Sequence, residues 1–186
     1  MTDLILLAAG ASRRFGSQKL LAPFGGKPLY QWAFAAAQEA HQSCGCRVLT
    51  VTRAGLLDEA ARQAGFEPVL VPPGLGQSDS VKAGVRAARP GANLAFFVCD
   101  APHFPGKELA RFLLAFEASG AKLGRVTDGE RFGSPCAFST ALRPQLLALS
   151  GDQGGRSLFV GREGETFLYP VPPTFLTDYD TPWQQQ

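Results

Sequence analysis

The sequence predicts an α/β protein built as a three-layer, doubly wound and mostly parallel sheet, and three observations carry that prediction. Strand-like and helix-like segments alternate from residue 1 to residue 120, the order that parallel strands with crossover helices on both faces require. The strand-like segments are short continuous apolar runs rather than alternating ones, as strands covered on both faces should be. Glycine-containing loops follow such runs, at the strand ends where open α/β sheets bind ligands.

The first run, Leu4-Ile5-Leu6-Leu7-Ala8-Ala9, breaks at Gly10 into Gly-Ala-Ser-Arg-Arg-Phe-Gly-Ser-Gln-Lys. Small residues at Ala8, Ala9, Gly10, Ala11 and Ser12 let a ligand approach the main chain, and Arg14 and Lys19 add positive charge. Between Arg13 and Lys27 there are four basic residues and no acidic one, so an anion entering here meets an unopposed positive field. This pattern predicts a phosphate-binding loop. It is not a Walker A loop, because five residues stand between Gly10 and Gly16 instead of four and Lys19 does not follow Gly16. It is not a dinucleotide fingerprint, because Ser12 occupies the place of the second glycine.

Pro23, Gly25 and Gly26 exclude regular helix from residues 20–27 and predict a turn across the sheet edge. Residues 29–42 read as a helix entered through Pro28, with Leu29, Trp32, Ala36 and Ala40 as its core stripe. Residues 47–52 read as a strand, 56–64 as a helix ending at Gly65, and 67–71 as a strand stopped by Pro72 and Pro73. A second loop, residues 74–80, opens into a helix over residues 81–89, with Ser78 or Ser80 placed to cap it or to donate to a ligand.

Residues 93–99 are the most apolar strand and run onto Asp100. A carboxylate at the end of a buried strand is costly unless paired, hydrogen-bonded or bound to a cation, which makes Asp100 a candidate metal ligand. A helix over 107–119, strands over 122–127 and 135–139, a helix over 140–149, a loop at 151–156 and a short helix at 157–160 follow. The last strands are read over 166–171 and 175–180, and alternation in the latter puts Asp178 and Asp180 on one face, a second place for a cation.

The 186 residues are the size of one domain, read as 1–186, large enough to bury roughly 70% of the surface the unfolded chain exposes. A net charge of +2 provides no broad basic surface, so no nucleic-acid partner is expected. No apolar stretch is long enough for a membrane span and no secretory leader is present, so a cytoplasmic protein without a membrane partner is expected. The four cysteines then read as reduced thiols; Cys44 and Cys46 stand too close together for the common zinc pairing.

These residues also carry a resemblance. Leu7-Ala8-Ala9-Gly10-x-Ser12-x-Arg14-x-Gly16-x-x-Lys19 resembles the signature of the MobA-like nucleotidyltransferases that complete molybdenum cofactors. The likeness continues through residues 23–29, Ser80-Val81-x-x-Gly84, Cys99-Asp100-x-Pro102, Gly133-x-Pro135, Gly151-Asp152-x-Gly154-x-Arg156 and Asp178-x-Asp180-Thr181-Pro182. Within the family the chain is most similar to the CTP:molybdenum cofactor cytidylyltransferase branch, since the GTP-using branch usually has glycine where Ala9 stands. Departures fall at Asp79, often Ser in the family, at Ser134, often His or Asn, and at Gly155, commonly Ala.

The resemblance implies a Rossmann-like nucleotidyltransferase fold and transfer of CMP from CTP to the terminal phosphate of a molybdopterin-type acceptor, with Mg²⁺ as cofactor. It assigns Arg14, Lys19 and Asp100 to catalysis and Leu7, Ala8, Ala9, Gly10, Arg14, Lys19 and Ser80 to the nucleotide. Asp100 and Asp180 would hold the metal, with Asp178 in reserve or positioning the acceptor; Asp152 and Arg156 fall on the acceptor side or pair with each other to hold their loop, and Lys27 is a further phosphate contact or an exposed lysine. A molybdenum enzyme or its chaperone is an expected protein partner. Alternatives are GTP as donor, a sugar or polyol phosphate as acceptor, and a nucleotide- or cofactor-binding module without turnover. A GT-A glycosyltransferase is disfavoured because Asp100-Ala101-Pro102 lacks the second Asp of an Asp-x-Asp motif.

Overall fold

The computed structural model describes residues 1–10, 12, 15–177 and 179. Its strands are β1 (Thr2–Leu7), β2 (Pro23–Phe24), β3 (Lys27–Pro28), β4 (Arg47–Thr52), β5 (Glu67–Leu70), β6 (Asn93–Val98), β7 (Leu123–Thr127), β8 (Phe132–Phe138) and β9 (Thr166–Pro170). Its helices are α1 (Tyr30–Cys44), α2 (Asp58–Gln63), α3 (Gln77–Ala87), α4 (Gly106–Ser119) and α5 (Arg143–Leu147). The 7-stranded sheet has the order β5-β4-β1-β6-β8-β7-β9, and β2 with β3 forms a separate hairpin.

β1 pairs in parallel with β4 on one side and β6 on the other, and β5 extends the parallel half beyond β4. The expected α/β class is therefore observed, with one irregularity: β8 runs antiparallel to both β6 and β7, whereas β9 is parallel to β7. Continuous apolar runs conceal a period of two. Leu4, Leu6 and Ala8 of the first run face the layer formed by α1, α2 and α4, while Ile5 faces α3 and α5. In β6, Ala95 and Phe97 face the first layer and Leu94 and Phe96 the second. Because both faces are buried, no polar residue is needed at alternate positions, and the run reads as uniformly apolar.

Two side chains anchor the far ends of these elements. Asp3 is fully buried at the start of β1 and accepts hydrogen bonds from the Arg89 backbone N–H at 2.7 Å and its Nε at 2.8 Å. Arg143 caps the C-terminus of α3, donating to the carbonyls of Val85, Ala88 and Arg89, which have no partner within the helix. Gly84 lets α3 lie close to the sheet: a Cβ there would stand 2.6 Å from Ile5 Cγ2.

Several expectations change. α3 begins at Gln77, not at residue 81, so Ser78 and Ser80 lie in its first turn, and neither caps it. Gly76 is the N-cap, and its N–H donates to Asp79 Oδ2 at 3.3 Å, so Asp79 serves the helix end. The segment read as one helix over 140–149 is a 3-10 turn, Thr140–Leu142, followed by the short α5, because Pro144 begins a new helix at its first turn. The helix read over 157–160 is a 3-10 turn over Gly155–Phe159. The strand read over 175–180 does not form at its start: Pro173–Leu176 is a 3-10 turn, favoured by proline at its N-terminus, and Asp178 and Asp180 lie outside the described residues. In α1, Leu29, Ala36 and Ala40 are core as expected, but Trp32 is half-buried and donates its Nε1–H to the Phe24 carbonyl at 2.9 Å, tying the hairpin to the helix.

Candidate active site

The chain leaves β1, forms β4 and β5 on one side, then crosses to β6 on the other, so β1 and β6 flank a topological switch point. Ligands bind in the crevice beyond the carboxyl ends of such strands. Two cavities open there and share a wall of Leu7, Val98, Gln77 and Asp100. The first, about 510 Å³, is bounded by the glycine loop, Lys19 and Ser80; the second, about 550 Å³, lies over β8 and β7.

In the loop cavity the sequence-predicted residues come together unevenly. Leu7, Ala9, Gly10, Lys19, Ser80 and Asp100 all line it. Ala8 does not: its side chain is buried in the core, and its N–H donates to the Val51 carbonyl at 2.9 Å, leaving no amide proton for a ligand. Arg14 lies outside the described residues, as does Asp180. Ser12, which displaces the second glycine of a dinucleotide fingerprint, adopts φ 49°, a left-handed conformation uncommon for a residue with a Cβ, and donates its hydroxyl to Gln18 Oε1 at 3.1 Å.

Lys19 and Asp100 are 81 residues apart in sequence and meet at 2.9 Å, Nζ to Oδ2. The lysine side chain is 8% exposed and the aspartate 32%, so the ammonium is presented from the wall and the carboxylate from the mouth of the crevice. The 3-10 turn Lys19–Leu21 buries Leu20 beside it and sets the direction of the lysine stem. Asp152 opens on this same cavity, and loop 151–156 reaches it by packing on the start of α3. There the Ser78 N–H donates to the Gly151 carbonyl at 3.2 Å. Lys27 does not line either cavity; its ammonium lies 3.9 Å from the centroid of the Trp32 ring.

Asp100 suits a hard divalent cation in part. Mg²⁺ takes one or two carboxylates and completes its shell with phosphate oxygens and water, and Asp100, with Asp152 on the same cavity, offers that donor chemistry. Among the described residues no group of three or more His, Cys, Asp or Glu is placed to hold a metal by protein ligands alone. The cysteine and histidine near residue 44 have other partners: Cys44 Sγ–H donates to the Ala40 carbonyl, and His41 Nδ1 lies 2.8 Å from the Cys46 carbonyl oxygen.

The sheet cavity contains residues that the sequence reading missed. Arg125 projects from β7 over Phe132, and Gln77 stands at the junction of the cavities. No motif signals Arg125, a single basic residue within a strand. Arg156 lines this cavity, and it forms no ion pair with Asp152 among the described residues. Ser134 supports the junction: its Oγ accepts the Val98 N–H at 3.1 Å, where the ladder between β6 and β8 has ended. Burial pushes the Cys136 thiol in this wall up to about 12, so it stays protonated at neutral pH.

A doubly wound sheet with its crevice at the switch point, walled by a glycine loop and a lysine–aspartate pair, defines the class as an α/β ligand-binding domain of the three-layer type. The chain belongs to the MobA-like NTP transferase domain family, whose model matches residues 4–166. A probable molybdenum cofactor guanylyltransferase of Bacillus licheniformis is 34% identical over 101 residues, covering 53% of this chain and 48% of that one. The aligned stretch thus spans about half the length of that curated relative. Rv0371c of Mycobacterium tuberculosis has the same fold, with TM-score 0.78 and 21% identity over 97% of this chain and 94% of its own. A structure of that protein in complex with manganese aligns with TM-score 0.71 and 20% identity over 92% and 88% of the two chains. A nucleotidyl transferase of Methanothermobacter thermautotroptrophicus aligns with TM-score 0.77 and 24% identity over 97% and 92%.

Proposed function

We propose that this protein is a nucleotidyltransferase that moves CMP from CTP to the terminal phosphate of a molybdopterin-type acceptor and releases pyrophosphate. The observation that carries the reading is the Lys19–Asp100 pair, whose lysine lines the loop cavity and whose carboxylate lines both cavities. One cavity takes the nucleotide against the glycine loop, the other takes the acceptor, and the reacting phosphates meet at the pair.

An acceptor phosphomonoester is largely dianionic near neutral pH, so the attacking oxygen needs no strong base. It adds to the α-phosphorus of the nucleotide; the bond to the bridging oxygen of the β-phosphate breaks, and pyrophosphate leaves with that electron pair. The protein's task is to align and to shield charge. Lys19 holds the triphosphate and stabilises the departing pyrophosphate, with Arg14 assigned the same role from the sequence. The main chain at Leu7, Ala9 and Gly10 receives base and ribose, with the Ser80 hydroxyl beside them. Asp100 would hold Mg²⁺, joined by Asp180 on the strength of the sequence alone, and manganese in the mycobacterial structure supports a divalent ion at this fold. When bound, such an ion neutralises phosphate oxygens.

Ala9 carries the choice of base. It lines the loop cavity, and alanine rather than glycine at this position is what supports a pyrimidine. The guanylyltransferase name of the Bacillus relative supports GTP as the second reading. Thermal unfolding with Mg²⁺ and each nucleotide in turn separates them, since a ligand at a hundred times its Kd stabilises the native state by about 2.7 kcal/mol. The expected result is the largest rise with CTP; a larger rise with GTP sinks the cytidine assignment. Pyrophosphate release with purified molybdenum cofactor then tests transfer against binding without turnover.

A further inference from the structure

The sheet cavity holds two arginines that the transfer step does not use. The Arg125 guanidinium carbon lies 3.3 Å from the centroid of the Phe132 ring and 4.8 Å from that of Phe159. Its Nε is buried without a hydrogen-bond partner. Arg156 enters the same space from loop 151–156, its Nη2 at 3.5 Å from the Phe132 carbonyl oxygen. Neither arginine makes an ion pair among the described residues, and Glu163 acts on Arg125 only from longer range. Burial, with a smaller contribution from Arg156, holds the Arg125 guanidinium below its ordinary pKa against the opposing pull of Glu163.

A desolvated guanidinium is costly unless its N–H groups are met, and stacking on a ring covers its face while leaving its edge to bond. The stacked Arg125 and the more exposed Arg156 open on one cavity, neither ion-paired among the described residues, and together form an anion site with donors in the fork geometry that oxyanions match. The register separates this site from the reaction centre. Arg125 pairs with Cys136 and Cys136 with Phe96, which places Arg125 two strand spacings, about 10 Å, from β6. Asp100 lies a further four residues along the chain beyond Phe96.

We propose that Arg125 and Arg156 bind a second anionic group of the acceptor, an oxyanion remote from the phosphate that reacts, and so select phosphomonoesters that carry one. The assignment rests on the transfer reading for the acceptor's phosphate, but its test does not require turnover.

Calorimetric titration with phenyl phosphate and with para-carboxyphenyl phosphate isolates the second charge. The wild-type protein is expected to bind the dianionic-ring probe about ten- to a hundredfold more tightly, the worth of one hydrogen bond to a charged group. Arg125→Met, which keeps contact with the rings, should erase that preference, Arg125→Lys should retain part of it, and both should leave the CTP-induced thermal shift unchanged. If Arg125→Met does not fold, Arg156→Gln in the exposed loop carries the same comparison. Equal binding of the two probes by wild type, no binding of either, or a preference that survives in Arg125→Met overturns the proposal. An Arg125-dependent preference in a protein that releases no pyrophosphate with molybdenum cofactor keeps the anion site and overturns the transfer reading. Transfer without the preference does the reverse.

Discussion

The two cavities meet at Leu7, Val98, Gln77 and Asp100 but are built by opposite means. The loop cavity belongs to the parallel half of the sheet, where β1 and β6 deliver their ends side by side and one contiguous loop supplies the largest share of the wall. The sheet cavity belongs to the mixed half, where β8 turns back against β6 and a strand, a turn and a late loop each contribute three or four residues. Main-chain groups and one lysine dominate the first, and long side chains, Arg125, Arg156 and Phe132, the second. The difference teaches that a site read by backbone leaves a motif, whereas a site read by side chains from separate elements does not.

The comparison breaks most sharply at the junction. If the Lys19–Asp100 pair serves the transfer where the cavities meet at Asp100, Lys19→Ala and Asp100→Asn should each lower turnover by on the order of 10² to 10³, in the manner of a lost charge-stabilising donor. Wild-type turnover by either folded variant would remove the pair from the mechanism.

A smaller effect is expected where loop 151–156 packs on α3 and joins the halves. A Cβ at Gly76 would stand 2.5 Å from the Gly151 carbonyl oxygen, a backbone atom that cannot move away cheaply. Gly76→Ala should therefore destabilise the fold by about 1–3 kcal/mol, as overpacking does. It should also weaken nucleotide binding, because Gly76 and Asp152 line the loop cavity together. Denaturant unfolding and nucleotide titration check the two parts; unchanged values in both would mean that the halves are not coupled through this contact.

The least effect belongs to the turn between β7 and β8. Hydrogen bonds from the Arg131 backbone and side chain hold the Asp128 carboxyl below its ordinary value. A depressed folded-state pKa contributes stability above the unfolded value, about 3.9, and loses it as pH falls through the folded one. Wild type should therefore exceed Asp128→Asn in Tm at pH 7, with the gap closing in acid below pH about 4. A gap that is constant across that range would sink the assignment. The turn leads into Phe132 at the start of β8, so the same variant reports whether the sheet cavity depends on it.

The parallel half was legible because its causes are local. Leu4-Ile5-Leu6-Leu7 reads as a strand buried on both faces, and the shift from apolar run to Gly10 marks the loop without reference to any other element. The mixed half was less legible. Residues 122–127 and 135–139 read as strands, but nothing local says that β8 begins at Phe132 or that it inserts between β6 and β7. At the start of the strand expected over 175–180 a turn stands instead, because Pro173 favours one.

By itself the sequence determined the α/β class, the placement of β1, β4 and β6, and the loop from Ala9 to Lys19, since periodicity and small-residue composition act over a few neighbouring residues. The tertiary structure alone decided that Lys19 meets Asp100 and that Arg125 and Arg156 enter one cavity with Phe132. Those contacts depend on strand order and register, which residues far apart in the chain settle jointly through the surface they bury.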